Sequence, residues 1–280
     1  MKLGLIGYPI QHSLSPWIHK QFMQQIEMTG TYQLYEVEQN QLAEQLSQMK
    51  AERINGFNVT VPYKQMIIPY LDELDVHAEQ IGAVNTVLQR DNRWIGYNTD
   101  GLGYITALKT KYPELFSGDK RVLLLGAGGA SRGIFYTLCQ EPFEAIDIAN
   151  RTLDRADELL ILNHSNQIKV TTCTYEDAEK SLSQYDLIIQ TTSVGMKPNV
   201  NSQVISMNNV KRGVVVSDIV YQPFLTSLLD DAKQQGARIH HGHEMLLYQA
   251  KLAFQLWSGK QVNAEKIEVA FMEQIKNVRN

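Results

Sequence analysis

Two side chains in this sequence have the chemistry of a metal-free proton relay. Lys64 closes the run Asn58-Val59-Thr60-Val61-Pro62-Tyr63-Lys64, and Asp100 lies in Gly96-Tyr97-Asn98-Thr99-Asp100-Gly101. The lysine follows a β-branched stretch and a proline that fixes its turn, and glycines flank the acid. Interconverting a carbonyl and an alcohol takes a hydride and a proton, and a Lys–Asp pair can handle the proton without a metal ion. A lone lysine in such a place is ordinarily a solvated charge, and spacing alone leaves both readings open.

The hydride calls for a dinucleotide, and one stretch has the form of its seat. Gly126-Ala127-Gly128-Gly129-Ala130 follows the apolar run Val122-Leu123-Leu124-Leu125. A buried strand running into small residues brings backbone amides close to a pyrophosphate at the start of the next helix. Ser131 stands where the usual G-x-G-x-x-G has its third glycine, so the loop alone is weak evidence against a purely structural turn. The context strengthens it, because a second strand follows the helix and ends at Asn150-Arg151-Thr152, with Arg155 a turn later. An NAD site normally places an acid there for the ribose 2′-hydroxyl. Here guanidinium groups replace it, and they pair with a 2′-phosphate, which favours NADP over NAD. The alternative is that Arg151 is a solvated loop charge.

The elements that must position these groups follow from periodicity. Leu3–Ile6, Tyr32–Val37 and Gly56–Val61 read as strands, with helices opening at Ser15-Pro16 and spanning Gln41–Met49, a β-α-β-α-β order. Ile81–Leu88 and Trp94–Tyr97 read as a hairpin turning near Asp91-Asn92, and Thr99–Lys109 as a helix leading out of this domain. Strand 121–125, helix 130–140 and strand 145–149 form a parallel unit, continued by strands at Ile168–Thr172, Leu187–Gln190, Val214–Asp218 and Arg238–His240. The class is α/β, a substrate domain plus a doubly wound, Rossmann-like domain. Glu244–Trp257 and Asn263–Val278 are amphipathic helices expected to pack back on the first domain. The predicted boundaries are 1–102 with 243–280 for substrate and catalysis, and 103–242 for NADP, with a hinge near the two linking helices, Thr99–Lys109 and Glu244–Trp257.

Other clusters carry less. His240-His241-Gly242-His243-Glu244 lacks the second histidine of a zinc-protease helix, so it reads as a glycine-containing helix start with exposed histidines and no metal. Thr191-Thr192-Ser193-Val194-Gly195 lacks the first glycine of a nucleophile elbow and suits a loop lining a cofactor cleft. The net charge of −4 comes without a basic block, against nucleic acid as a partner. Cys139 and Cys173 are too few and too far apart for a disulfide framework or a zinc set. No stretch reads as a signal peptide or bilayer span, so the expectation is a cytoplasmic protein without membrane association.

In combination these motifs resemble the shikimate dehydrogenase family. Gly7 to Pro16 reads Gly-x-Pro-Ile-x-His-Ser-x-Ser-Pro, and Asn58 to Lys64 carries the lysine. Gly82 to Thr86 reads Gly-Ala-Val-Asn-Thr, and Gly96 to Gly101 carries the acid. Gly126 to Ala130, Asn150 to Thr152, Thr191 to Met196, Asp218 to Pro223, and Gly242 through Met245-Leu246 to Gln249 complete the series. The resemblance implies NADPH-dependent reduction of 3-dehydroshikimate to shikimate, on the way to chorismate and the aromatic amino acids, by a monomer or homodimer. It implies that Ser13, Ser15 and Tyr221 bind the substrate carboxylate, that Thr60, Asn85 and Gln249 bind ring hydroxyls, and that Lys64 and Asp100 flank the reacting oxygen. On the cofactor side it implies Gly126, Ala127, Gly128, Gly129 and Ala130 around the pyrophosphate, Asn150, Arg151, Thr152 and Arg155 at the adenosine phosphate, and Ile219 and Gly242 along the nicotinamide. Two readings compete: an NAD-using quinate/shikimate relative, against which Asn150-Arg151 and the serines at 13 and 15 argue, and a non-catalytic sensor, disfavoured by retention of both Lys64 and Asp100.

Overall fold

The run Leu3–Ile6 lies inside β1 (Lys2–Gly7), which is buried along nearly its whole length and is flanked on both sides by parallel partners. These are β2 (Thr31–Glu36) and β3 (Gly56–Val59), reached through α1 (Ser15–Gln25), with Pro16 in its first turn, and α2 (Leu42–Ala51). The β-α-β-α-β reading holds. The sheet continues antiparallel through β5 (Thr86–Arg90) and β6 (Arg93–Tyr97), whose turn places Asp91 and Asn92 at positive φ. The short β4 (Glu73–Leu74) completes the order β2-β1-β3-β5-β6-β4.

Two of the differences from the periodicity reading have a clear local cause. β3 stops at Val59 because Thr60 to Pro62 turns away, and proline has no N–H to continue a ladder. The apolar run beginning at Ile81 is not one strand. Ile81 ends α3 (Val76–Ile81), which Asp75 caps through the His77 amide, and Gly82 closes it in the left-handed region at φ 68°. The strand begins only at Thr86.

This is a computed structural model, and it describes residues 1–164 and 168–277. The chain divides into two compact units, 1–103 with 247–271 and 104–246 with 272–280. The helix α4 (Asp100–Lys111) leads into the second unit. There β7 (Arg121–Leu125), α5 (Gly129–Leu138), β8 (Ala145–Ala149), α6 (Leu153–Leu160), β9 (Lys169–Cys173), α7 (Tyr175–Lys180), β10 (Leu187–Gln190), β11 (Val215–Asp218), α8 (Ser227–Gln234) and β12 (Arg238–His240) follow in order. Their six strands are all parallel, ordered β12-β11-β10-β7-β8-β9. This is the doubly wound dinucleotide order, with its switch point between β7 and β10. The helices α7 and α8 had a local signal in Thr174 and Thr226, whose hydroxyls accept the amides of Asp177 and Leu229.

The chain ends in α9 (Gly242–Ser258) and α10 (Glu265–Asn277); Val278, the last residue of the expected final helix, lies outside the described residues. The portion 247–271, most of α9 and the first half of α10, packs within the first unit, whereas the start of α9 and the end of α10 belong to the second. Trp17 stacks on Phe271 with centroids 5.6 Å apart, and the Trp257 indole donates to the Val87 carbonyl at 2.9 Å. Gly56 makes room for that indole, since a Cβ there would strike the Trp257 ring and come within 2.8 Å of the Val87 oxygen. Gly56→Ala is therefore expected to displace Trp257 and destabilise the protein by about 2 kcal/mol, the usual scale of overpacking. Chemical denaturation read by tryptophan fluorescence checks this; an unchanged midpoint would mean that the indole moves aside freely.

Candidate active site

Asp100 is the first residue of α4, where unpaired helical amides favour a negative charge. Its side chain is buried, and each carboxylate oxygen has its own donor. Lys64 Nζ lies 2.6 Å from Oδ2, and Asn85 Nδ2 donates to Oδ1 at 2.8 Å. The Asn98 side chain braces the turn, accepting the Asp100 amide at 3.1 Å and donating to the Ala83 carbonyl at 2.9 Å. Lys64 is itself fixed through its backbone, whose carbonyl accepts the Val84 amide at 2.7 Å. The two residues singled out for a proton relay are thus in direct contact.

Asn85 is 2 % exposed. Its Oδ1 accepts the backbone N–H of Thr99 at 2.8 Å, which settles the amide's orientation, since that partner can only donate. Its Nδ2 consequently faces Asp100, Thr99 Oγ1 at 2.9 Å and Gln249 Oε1 at 3.4 Å. Gln249 reaches this point because α9 passes close to α4 at Gly103, where a Cβ would come within 2.6 to 2.8 Å of Gln249 N, Cα and Cβ. Thr60 is half-buried just beyond β3, with its amide bonded to the Ile6 carbonyl at 3.0 Å. Ser13 and Ser15 occupy the turn into α1, the Ser13 hydroxyl accepting the Ser15 amide at 3.3 Å. The first unit thus holds Ser13, Ser15, Thr60, Lys64, Asn85, Asp100 and Gln249, whereas Tyr221 belongs to the second, half-buried after β11 with its phenol pushed up by desolvation.

In the second unit the glycine turn joins β7 to α5. Gly126 sits at φ 106°, and a Cβ there would press on the Thr191 and Thr192 side chains. At Gly128 and Gly129 a Cβ would meet no atom within 4 Å, so the outer face of the turn is open. That open, side-chain-free face at a helix start fits a dinucleotide pyrophosphate. Ser131 has a structural role in place of the missing glycine. Its hydroxyl accepts the Gly128 amide at 2.9 Å and meets Thr191 Oγ1 at 2.7 Å, which passes a bond to the Leu125 carbonyl at 2.8 Å. Asn150 follows β8 and bonds the Thr152 carbonyl at 2.8 Å, while Arg151, Thr152 and Arg155 are exposed around the start of α6. Ile219 and Gly242 meet closely, since a Cβ on Gly242 would run into the Ile219 and Val220 carbonyls.

The histidine cluster requires a correction. His240 and His243 are buried, at 0 % and 2 % exposure, and His241 is half-buried. His240 ends β12 facing inward, its Nδ1 paired with Ser217 Oγ at 2.8 Å and its ring edge-on to Tyr104. Burial pushes His240 well below the usual histidine range and His243 down to about 3. The expected glycine-containing helix start is present in α9. Among the described residues no group of three or more His, Cys, Asp or Glu is placed to hold a metal ion.

A Lys–Asp pair in contact within one α/β unit and an open glycine turn at the switch point of a second have the form that a pyridine-nucleotide-dependent oxidoreductase requires. Comparison with known proteins narrows this. Residues 5–87 match the shikimate dehydrogenase substrate binding domain, 109–221 the shikimate / quinate 5-dehydrogenase model and 242–268 the shikimate 5′-dehydrogenase C-terminal domain. A shikimate dehydrogenase (NADP+) of Oceanobacillus iheyensis is 47% identical over 99% of both chains. A shikimate dehydrogenase crystallised with NADP+ has a TM-score of 0.90 at 35% identity, covering 98% of this chain and 95% of its own. The shikimate 5-dehydrogenase of Thermus thermophilus, solved with NADP(H) and shikimate, gives 0.86 at 29%, covering 98% and 99%. The chain belongs to the shikimate dehydrogenase family.

Two groups bonded to Asn85, and a third bonded to one of them, had no role in the sequence reading. Asn58 and Thr86 lie inside quoted motifs without an assignment, and Tyr32 looks like an ordinary strand aromatic. Their signal is spatial, through hydrogen bonds spanning 26 to 28 positions of the chain.

Asp218 supplies a test of the second unit. It is fully buried and accepts the Val220 amide, Thr226 Oγ1 and Gln190 Nε2 at 2.9, 2.7 and 3.1 Å, tying together the loops after β10 and β11. Desolvation nevertheless raises its carboxyl to about 6. A carboxyl raised on folding favours the protonated native state, so its contribution is present below about pH 4 and is lost as pH rises through about 6. Relative to Asp218→Asn, wild-type stability should therefore decline by about 2–3 kcal/mol across that window, a shift of roughly two units. Parallel denaturation of both proteins from pH 4 to 7 checks the sign; a constant difference would show that Asp218 folds without a raised pKa.

Proposed function

We propose that this chain catalyses the reversible, NADPH-dependent reduction of 3-dehydroshikimate to shikimate on the route to chorismate and the aromatic amino acids. The observation that carries the residue assignment is the Lys64–Asp100 contact of 2.6 Å, with Asn85 on the second carboxylate oxygen. In this reading the first unit is the substrate domain and the second the NADP domain. Bound NADPH supplies the hydride to the substrate's carbonyl carbon. Lys64 and Asp100 flank the carbonyl oxygen and deliver the proton, so the product is the neutral alcohol. Asp100 holds the ammonium in place and balances its charge. Ser13 and Ser15 take the substrate carboxylate, and Thr60, Asn85 and Gln249 face the ring hydroxyls. A site that pairs each hydroxyl rejects analogues lacking one, because the unmatched protein groups are left buried.

Toward the cofactor, Gly126 to Ala130 receive the pyrophosphate, and Asn150, Arg151, Thr152 and Arg155 the 2′-phosphate. Ile219 and Gly242 lie along the nicotinamide. The exposed guanidinium groups beside α6 support NADP over NAD, since no carboxylate stands at the end of β8 to repel a phosphate. Among the described residues no helix is long and apolar enough to cross a membrane. We place the enzyme in the cytoplasm as a monomer or homodimer acting on small molecules.

Lys64→Ala should lower kcat for shikimate oxidation about a thousandfold, within the usual range for a lost acid–base group, with KM changed only a few-fold. Steady-state absorbance of NADPH decides; a large KM rise at intact kcat would make Lys64 a binding residue instead. Arg151→Ala should reduce the NADP-over-NAD preference in kcat/KM about tenfold or more, the scale of one charge-assisted hydrogen bond. An unchanged ratio would remove Arg151 from the phosphate site.

A further inference from the structure

The Asn85 amide is set by more than Thr99. Thr86 is fully buried at the start of β5, and its hydroxyl donates to Asn85 Oδ1 at 3.0 Å. The same hydroxyl oxygen accepts Asn58 Nδ2 at 3.0 Å, while Asn58 Nδ2 also reaches the Asn85 carbonyl at 3.2 Å. Asn58 Oδ1 in turn accepts the Tyr32 hydroxyl at 2.7 Å. Beyond this bond, the His19 ring stacks on the Tyr32 phenol with centroids 4.5 Å apart and planes 9° from parallel.

These bonds run in one direction. Starting from Tyr32, each hydrogen points to the next residue: Tyr32 O–H to Asn58, Asn58 N–H to Thr86, Thr86 O–H to Asn85, and Asn85 N–H to Asp100. Reversing the Asn85 amide would set its N–H₂ against the Thr99 N–H and leave Asp100 Oδ1 facing a carbonyl oxygen. Reversing Asn58 would set its oxygen against the Asn85 carbonyl. In a buried network an unmatched group is costly, so both amide orientations are fixed, and the Thr86 hydroxyl, 3.4 Å from Thr99 Oγ1, lies closer to Asn85 Oδ1 at 3.0 Å.

We propose that Asn58 and Thr86 are positioning residues for the reaction: with Tyr32 they form a donor chain of fixed direction that locks the Asn85 amide and thereby holds Asp100 against Lys64. The inference rests on the reduction assigned above to Lys64 and Asp100. Neither residue touches that pair, and both act through Asn85. Were Thr86 only a core residue, its hydroxyl would be dispensable and a side chain of the same shape would replace it.

Thr86→Val keeps the shape and removes the hydroxyl, whereas Thr86→Ser keeps the hydroxyl and removes a methyl group. With shikimate and NADP, Thr86→Val should lose at least about tenfold in kcat, the equivalent of one hydrogen bond of about 1.4 kcal/mol, with KM within about threefold. Its solvent deuterium isotope effect on kcat should rise, because a misplaced acid slows the proton step. Thr86→Ser should stay within about twofold of wild type. In the Asn85→Ala background Thr86→Val should add nothing further, since a residue acting only through Asn85 has no effect once that amide is gone. If Thr86→Val fails to fold, Thr86→Ala takes its place against Thr86→Ser. The proposal is overturned by a valine (or alanine) variant within about twofold of wild type, by equal losses in it and the serine variant, or by effects that multiply in the double mutant. Wild-type protein inactive on shikimate with NADP would overturn the functional reading itself.

Discussion

The charge on Asp100 is the constraint around which the first unit is arranged. A carboxylate withdrawn from water is tolerable only where donors replace its hydration, and a pair missing one partner is worse than no pair. Asp100 has the amides of its helix start, the Lys64 ammonium and the Asn85 amide. Each of these must be held in turn, so the Val84 amide fixes Lys64 and the Thr99 amide fixes Asn85. The hairpin, the end of β3 and the start of α4 meet here because one buried charge requires donors from all three.

The second unit solves a different problem with similar means. Its glycine turn must keep an open outer face while its inner face stays rigid. Gly126 gives the positive φ, and the hydroxyls of Ser131 and Thr191 tie the Gly128 amide back to the end of β7. A third glycine would allow tight helix–strand packing, whereas serine adds a bond that fixes the turn. Departure from the usual glycine spacing therefore leaves the turn intact.

Strands and turns were legible in the sequence where a local pattern decides them. β1, β7 and β10 are buried and mainly apolar, and the Asp91-Asn92 turn has residues that tolerate positive φ. Lys64 and Asp100 were legible as residue types, although their contact spans 36 positions and no spacing rule reports it. The short helix before Gly82 was missed because a few apolar residues look alike in a helix and a strand. His240 was misread as exposed because charge and polarity say little about a ring whose Nδ1 meets a buried serine across two parallel strands.

The close approach of α4 and α9 at Gly103 has a consequence for biosynthesis. Gln249 and Trp257, which complete the first unit, are made only after residues 104–246 of the second unit have been synthesised. Until then the nascent N-terminal segment lacks the helix that covers Gly56 and Val87, and its apolar face waits uncovered. Domains generally fold as they emerge, N-terminal first. In this chain residues 104–246 emerge before the helix that completes the first unit, so the first unit closes only after most of the second has been made.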